Sequence, residues 1–146
     1  MRSPSQNKAK KLSIIIPVLN EERTLAKILK KVDRVNLDNW RKEIILIDDG
    51  STDNSLQKAE EIKREIRTPL IIKQHPENRG KGAAIRSGLK EANGDYVFIQ
   101  DADLEYNPGE LPRLLKKLER TKVVYGRRRE NKTFYSLGTK VISFFI

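Results

Sequence analysis

The sequence predicts an α/β fold in which a mostly parallel sheet carries helices on both faces. Apolar runs rich in Ile, Val and Leu have the length and composition of buried strands. The segments between these runs repeat their apolar residues at helical spacing. Because strand and helix alternate along the chain, the strands are expected to lie parallel in one sheet.

The composition indicates a single domain with a surplus of positive charge. The chain has 146 residues, of which 37% are hydrophobic, and this is enough for one domain with a core. It contains no cysteine, which excludes disulfides and thiolate metal sites. No apolar run approaches the ~20 residues of a membrane span, and no secretory signal is expected. The net charge of +10 suits phosphate-bearing partners, although most of these side chains are expected to form a solvated face.

The first third of the chain is predicted to contain an arm, a strand and a helix. Residues 1–11 are expected to form a basic disordered arm, followed by a strand over residues 12–19. Pro17 should mark the end of this strand, because proline cannot donate a hydrogen bond to a ladder. Either Asn20 or Thr24 is expected to cap the helix that follows. The inward stripe of that helix is Leu25, Ile28, Leu29 and Val32.

Two further strands are predicted at residues 43–49 and 69–74, with a helix over 54–66 between them. Trp40 precedes the first of these strands and is interpreted as a packing residue. His75 follows the second beside Pro76, and we expect it to be a loop residue outside any site.

The remaining elements continue the alternation. A helix is expected over residues 78–92, a strand from Tyr96, and another helix from Asn107. A short fifth strand should cover residues 122–126. The final segment, 133–146, has the pattern of an amphipathic helix that is apolar to its last residue. This predicts that the chain stops inside an element, at the possible start of an acceptor-side segment.

Two acids stand one residue apart where the strand from Tyr96 ends. Asp101 and Asp103 lie on the same side of an extended chain, because side chains alternate with period two. Placing both at a buried strand end is unfavourable unless a cation arrives to hold them. A hard divalent cation that also binds phosphate oxygens is the expected ligand, and it would make a diphosphate a better leaving group. The alternative interpretation is that Asp103 only caps the next helix.

Functional chemistry is predicted at three strand ends, namely residues 17–21, 48–49 and 101–105. In parallel sheets, ligands bind outside the carboxyl ends of the strands, so these ends are expected to share one site. Asp49 either accepts hydrogen bonds from a base or a ribose, or stabilises the turn before Gly50.

Two other segments can be interpreted either as ligand-binding or as having only a structural or solvent-exposed role. The glycine-rich segment 78–82 lacks the spacing of known phosphate loops, and indicates either an anion site at a helix start or a tight turn. In the basic run 127–129, alternation points Arg128 away from its two neighbours, so the run can direct a guanidinium at phosphate. Nucleic-acid binding through the basic tail is the weakest candidate, since no recognition motif or interleaved aromatic residues are present.

Four segments together resemble a known family. They are residues 14–21, 47–53, 78–82 and 101–104, in matching order and spacing from about Leu12 to Arg128. The set is similar to family 2 glycosyltransferases of the GT-A (Rossmann-like) fold. Within that family the resemblance is to the dolichyl- and polyprenyl-phosphate sugar transferases, which include dolichol-phosphate mannose synthases.

The resemblance implies an inverting transfer from a GDP- or UDP-sugar to a polyprenyl or dolichyl phosphate, assisted by Mg²⁺ or Mn²⁺. It makes residues 12–132 a partial nucleotide-sugar-binding domain. It also implies a cytoplasmic protein, peripheral at the membrane face, with a partner chain as a possible source of a membrane anchor.

The resemblance also implies a role for each matching position. Asp101 and Asp103 would be catalytic, and with Glu105 would bind the metal. Arg128 would contact the donor diphosphate. The positions implied to bind the nucleotide sugar are Pro17, Leu19, Glu21, Ile47, Asp49, Asp101, Ala102 and Asp103.

Three departures from the family pattern leave alternatives open. Leu19 stands where an aromatic residue is usual, and Glu105 where the lipid-phosphate branch commonly has glutamine. The chain is also shorter than members of the family, which continue into an acceptor-side segment. The alternatives are a truncated nucleotide-sugar-binding fragment without its own transferase activity, and a transferase that acts on a glycan hydroxyl.

Overall fold

The computed structural model describes residues 9–118 of the chain. Its centre is a four-stranded, wholly parallel sheet in the order β3-β2-β1-β4. The predicted fold class, a mostly parallel sheet with helices on both faces, is confirmed. The strands are β1 Lys11–Val18, β2 Arg41–Asp48, β3 Leu70–Gln74 and β4 Tyr96–Ile99. The helices are α1 Leu25–Arg34, α2 Ser55–Lys63, α3 Lys81–Glu91 and α4 Leu111–Leu118, the last preceded by a 3₁₀ turn at Pro108–Glu110.

The core lies on the two faces of the sheet, and alternate residues of each strand serve each face. Ile14 and Ile44 belong to the larger cluster, which includes buried residues of α1, α2 and α4. Ile15 and Ile45 belong to the smaller cluster under α3. Because both faces are covered, the central strands are apolar on both sides, as parallel strands usually are. The carboxyl ends of these strands remain available for a site.

The sequence had suggested that β1 ends at Pro17, but the strand continues to Val18. β4 pairs with β1 only as far as Ile99 opposite Ile15. Since Ile15 accepts a hydrogen bond from Gln100 on the β4 side, alternation turns Pro17 towards the same side, beyond the end of β4. The missing N–H of Pro17 therefore costs the sheet no ladder bond.

The last residues of the predicted basic arm belong to the fold. Lys11 begins β1 and pairs with the buried Glu43 at 2.5 Å. The ammonium of Lys10 lies over the rings of Trp40 and Tyr96, at 5.3 and 5.9 Å from their centroids. Trp40 packs against the larger core cluster, as expected of a packing residue.

Several predictions fall outside the described residues. They concern the arm over residues 1–8, the strand at 122–126, Arg128 and the helix at 133–146. Within residues 9–118, none of the helices combines the length and apolar character that a membrane span requires.

Candidate functional site

A cleft of about 320 Å³ opens at the carboxyl ends of β1, β2 and β4. The structure thus brings together the three strand ends that the sequence had singled out. The loop before α3 closes the cleft from the other side. The lining residues are Pro17, Val18, Leu19, Glu21, Asp49, Asn78, Gly80, Lys81, Ala84, Asp101, Ala102 and Asp103.

The loop after β1 is fastened to the loop after β2. Asn20 adopts a positive φ of 54°, and its side-chain oxygen accepts a hydrogen bond from the N–H of Thr52 at 2.8 Å. Glu22 and Asp53 extend this contact, because the N–H of Glu22 donates to the Asp53 carboxylate at 3.1 Å. The loops therefore hold each other in place beside the cleft.

The start of α1 orients Glu21 and lacks the usual side-chain cap. Thr24 stands at the N-cap of α1, but its side chain does not cap the helix and donates instead to the Glu21 carboxylate at 2.8 Å. The N–H of Glu21 donates to the hydroxyl of Ser55 at 2.8 Å. The half-buried Glu21 is thus oriented from both sides on the cleft wall.

The two acids after β4 both line the cleft. Asp101 is largely buried, whereas Asp103 is exposed. Oδ1 of Asp103 accepts the N–H of Glu105 at 3.0 Å, in a turn where Leu104 has a positive φ of 65°. The alternative that Asp103 caps the next helix is wrong, because Asn107 makes that contact with the N–H of Gly109 at 3.1 Å.

The Lys81 side chain reaches across the cleft to the first of these acids. Its Nζ lies 2.5 Å from Oδ1 of Asp101. Lys81 is the first residue of α3 and follows Gly80, whose φ of 89° suits a residue without a side chain. The sequence had marked this glycine-rich segment only as an anion site at a helix start or as a tight turn. It gave no signal that Lys81 contacts Asp101.

Asp49 holds the loop before α3. Its Oδ1 accepts the N–H of Arg79 at 3.0 Å, and its Oδ2 accepts the N–H of Gly80 at 2.8 Å. The turn before Gly50 is instead stabilised by Asp48, whose Oδ2 accepts the N–H of Ser51 at 3.3 Å. The interpretation of Asp49 as stabilising the turn at Gly50 was therefore wrong, because Asp49 stabilises the loop before α3 instead.

His75 lies in the loop after β3 and is not among the residues that line the cleft, as predicted, but its burial and its contacts were not foreseen. It is buried at 7% exposure, with Nδ1 2.6 Å from Oδ1 of Asp49 and Nε2 2.8 Å from Oγ of Ser87. Because a carboxylate only accepts hydrogen bonds, Nδ1 carries the hydrogen of the first contact. His75 thus supports a residue of the cleft wall from behind.

The electrostatics of Asp49 favour its ionised form. Burial alone would raise the pKa of this carboxyl. The hydrogen bonds from His75, Arg79 and Gly80 lower the pKa by more than burial raises it, so the pKa lies below the ordinary value. The group is therefore an acceptor at neutral pH. A carboxylate has about four lone-pair sites, of which three are used here. Counting the contacts within residues 9–118, one lone-pair site of this carboxylate remains on the side of the cleft.

Among the described residues, two predicted site residues are not brought to the cleft wall. Ile47 is fully buried in the smaller core cluster with Ala84, behind the wall rather than on it. Glu105 is exposed and is not among the lining residues. Arg128 lies outside the described residues. The lining residues that sequence reasoning did not name individually are Val18, Asn78, Gly80, Lys81 and Ala84.

The donor set at the cleft fits a hard divalent cation with phosphate as co-ligand. Mg²⁺ is commonly bound by one or two carboxylates together with substrate phosphates and water. Asp101 and Asp103 supply two such carboxylates on one wall. Within residues 9–118, no group of three or more His, Cys, Asp or Glu side chains is arranged to hold a metal ion. The three-carboxylate set with Glu105 is therefore not assembled.

Comparison with known proteins decides the family. A sequence profile described as "Glycosyl transferase family 2" matches residues 13–143. The chain belongs to glycosyl transferase family 2. This match spans the described cleft and continues beyond it, and the family resemblance inferred from the sequence motifs is confirmed.

The curated relatives of this family 2 chain include lipid-phosphate sugar transferases. An undecaprenyl-phosphate 4-deoxy-4-formamido-L-arabinose transferase from Proteus mirabilis is 36% identical over 140 residues, which cover 93% of this chain and 43% of the relative. Its counterpart from Pseudomonas syringae is 38% identical over 123 residues, covering 83% of this chain and 36% of the relative. The chain thus spans less than half the length of these relatives.

Solved structures agree on the fold of the family 2 domain. S. aureus TarS 1-349 in complex with UDP matches with a TM-score of 0.72 and 25% identity, over 86% of this chain and 38% of that one. The mannosyltransferase PcManGT from Pyrobaculum calidifontis, in complex with GDP-Man and Mn²⁺, has a TM-score of 0.72 and 24% identity over the same shares. The predicted GT-A class is confirmed.

Proposed function

We propose that this domain binds a nucleoside-diphosphate sugar and acts in the inverting transfer of its sugar to a polyprenyl phosphate, assisted by Mg²⁺ or Mn²⁺. The relatives that are undecaprenyl-phosphate transferases support this acceptor. This chain covers 43% or less of the length of those relatives. Transfer activity like theirs is therefore proposed here and does not follow from the similarity alone. An acceptor of this kind would bring the domain to the cytoplasmic face of a membrane.

One observation carries the proposal: the cleft has a hydrogen-bond acceptor at one strand end and a pair of carboxylates at another. Asp49 follows β2, whereas Asp101 and Asp103 follow β4, with the end of β1 between them. A nucleoside with N–H or hydroxyl donors suits Asp49, and a diphosphate with its cation suits the acid pair. A nucleoside diphosphate contains both parts in one molecule.

Five of the wall residues have a defined task in donor binding under this proposal. Asp49 accepts from the base or the ribose with its remaining lone pair, and Leu19 packs against the base. Glu21, held by Thr24 and Ser55, lines the same end. Pro17 and Ala102 provide close, apolar backbone on the cleft wall. Ile47 contributes only from the core beneath, and Arg128 remains a sequence-based prediction.

The reaction proposed here needs little acid–base chemistry from the protein. When bound, the cation would neutralise charge on the departing diphosphate, and Asp101 and Asp103 would hold it. A polyprenyl phosphate is already ionised near neutral pH, so it can attack without a general base. The protein's contribution is then to hold the donor in an orientation in which the acceptor phosphate can attack the sugar. A hydroxyl acceptor would require a base, and His75 is already engaged by Asp49 and Ser87.

A metal-dependent nucleotide-binding assay tests the donor site. The chain is titrated with UDP- and GDP-sugars, with and without Mg²⁺ or Mn²⁺, and stabilisation is followed by thermal shift. Asp101→Asn should abolish metal-dependent stabilisation. Asp38→Asn is the matched control, because Asp38 has a positive φ of 52° that asparagine also accepts. Equal titrations of the two variants would contradict the site.

A second candidate is a nucleotide-sugar-binding domain that transfers sugar only together with further chain or a partner. The shares of 43% and 36% of the two relatives favour it. Transfer to a polyprenyl phosphate and hydrolysis of the nucleotide sugar are measured in parallel on the chain. Donor binding without transfer supports this candidate, whereas lipid-linked sugar supports the complete reaction.

A further inference from the structure

The contact between Lys81 and Asp101 places a cation on the carboxylate that the proposed function assigns to a metal. The ammonium of Lys81 lies 2.5 Å from Oδ1 of Asp101, and both residues line the cleft. A lysine ammonium and a divalent cation cannot share one carboxylate oxygen closely, because like charges repel. A divalent cation bound through Oδ1 of Asp101 would therefore compete with Lys81 for that oxygen.

The two partners of this ion pair differ in their freedom. The Lys81 side chain is 55% exposed, whereas that of Asp101 is 11% exposed. A lysine carries its charge on a flexible four-carbon stem, and an ion pair with such an exposed partner contributes little stability. The pair can therefore open by movement of Lys81 at small cost, while Asp101 keeps its place.

The surroundings of Lys81 provide it with a second anionic partner when a donor is bound. Lys81 is the first residue of α3, an eleven-residue helix whose first turn carries no acidic residue. The first N–H groups of a helix lack partners within the helix and favour negative charge. A diphosphate held by a cation at Asp101 and Asp103 would thus be within the same cleft as both the ammonium and this helix end.

We propose that Lys81 exchanges partners: it neutralises Asp101 in the nucleotide-free cleft, and it binds the donor diphosphate once a divalent cation has taken Asp101. This inference rests on the proposed function and adds a residue to it. The exchange makes the binding of metal and nucleotide cooperative. Metal alone must displace Lys81 from Asp101 without compensation, whereas bound nucleotide gives the displaced Lys81 a new anionic partner. Such mutual assistance is a coupling free energy between two ligands.

Replacing the ammonium separates the two roles of Lys81. The test variant is Lys81→Met, which keeps the length of the stem and removes the charge. Lys73→Met is the matched control, because the Lys73 side chain is 53% exposed, pairs with Glu91 at 3.6 Å and is not part of the cleft wall. Both variants change the net charge equally. Lys81→Arg retains the charge and serves as the rescue.

The expected shifts have opposite signs. Without nucleotide, Mn²⁺ followed by electron paramagnetic resonance should bind Lys81→Met about two- to fivefold more tightly than wild type, because a weak competing ion pair is gone. With saturating Mn²⁺, UDP or GDP should bind the variant about tenfold more weakly, because a charge-assisted contact is lost. Lys73→Met should change neither affinity by more than about twofold. Lys81→Arg should retain nucleotide affinity within about threefold.

The outcomes distinguish this inference from the function on which it rests. If wild type binds neither UDP nor GDP with Mn²⁺, the proposed function is overturned and Lys81 loses its assigned role. If wild type binds nucleotide but Lys81→Met behaves like Lys73→Met, the exchange alone is overturned. Parallel weakening of both ligands in Lys81→Met, or a tenfold loss in Lys81→Arg, contradicts the exchange and indicates a structural role.

Discussion

Asp49 and His75 form a buried pair across the ends of two adjacent strands, with Oδ1 and Nδ1 2.6 Å apart. The register of the sheet explains their meeting, because Asp48 stands opposite Gln74 at the last paired position of β2 and β3. The other ring nitrogen lies 2.8 Å from Oγ of Ser87 on α3. One imidazole thus links the ends of two strands to the helix that follows the cleft loop.

Removing this imidazole should destabilise the fold. In His75→Ala, a buried carboxylate loses a donor and a cavity forms, so we expect the free energy of unfolding to fall by about 2–4 kcal/mol. Ser87→Ala removes only the outer contact and should cost about 1 kcal/mol. Urea unfolding of both variants measures the difference. Losses that agree within error would show that Asp49 does not depend on His75.

The stability of the chain should fall at acid pH. Burial raises the pKa of four carboxyl groups, but hydrogen bonds outweigh it, so each folded pKa lies below its ordinary value. Their stabilisation is therefore complete above the unfolded pKa of about 4 and is lost as pH falls through the lower folded pKa. The groups are Asp33, Glu43, Asp49 and Asp53.

Glu43 offers the test of this acid sensitivity. Its carboxylate is buried and accepts hydrogen bonds from Ser13 at 2.6 Å and from the N–H of Asn93 at 3.1 Å, besides pairing with Lys11. Thermal unfolding of wild type should change little between pH 7 and about 5, and drop below about 4. Glu43→Gln should show a smaller drop, whereas exposed Glu60→Gln should follow wild type. A drop of the same size in Glu43→Gln would contradict the assignment.

The elements that the sequence predicted well are those whose apolar residues repeat at a regular spacing. The stripe of Leu25, Ile28, Leu29 and Val32 is buried as expected. The paired acids at 48–49 and 101–103 stand at the carboxyl ends of β2 and β4, because buried strands end where polar residues begin. Such signals are local, so one chain suffices to find them.

Contacts between distant segments were beyond this kind of inference. His75 reads as a loop residue beside Pro76, and its burial depends on the register of β3 against β2 and on α3 above it. Lys81 meets Asp101 only because α3 packs over β1 and β2. Ile47 alternates away from the cleft wall into the core, and its position in a motif did not reveal this.

Two glycines of α3 should respond to alanine in opposite ways. A methyl group at Gly88 would stand 2.5 Å from Cγ2 of Ile15, so Gly88→Ala overpacks the helix against β1 and should cost about 1–3 kcal/mol. At Gly82 the nearest atom is a flexible Arg86 nitrogen at 3.5 Å. Gly82→Ala should therefore stabilise α3 by up to about 1 kcal/mol. Chemical denaturation measures both, and a stabilising Gly88→Ala would show that α3 can move off the sheet.

Leu19 should limit the affinity of the cleft for a nucleotide. It lies on the cleft wall and is 40% exposed, the one large apolar side chain so exposed within residues 9–118. An aromatic ring stacks on a base and contributes about 1–3 kcal/mol, more than an aliphatic side chain of this size at a partly open site. Under the proposed function, Leu19→Tyr should tighten UDP or GDP binding about three- to tenfold.

Leu19→Ala is the reciprocal variant, and it should weaken nucleotide binding because it removes apolar contact. Calorimetric titration with Mg²⁺ present measures both variants, and inorganic pyrophosphate serves as the ligand control because it has no base. The gain in Leu19→Tyr should appear with the nucleotide and not with pyrophosphate. An equal gain for both ligands would place the new ring at the phosphates, and the nucleoside would then have to lie elsewhere than between Leu19 and Asp49.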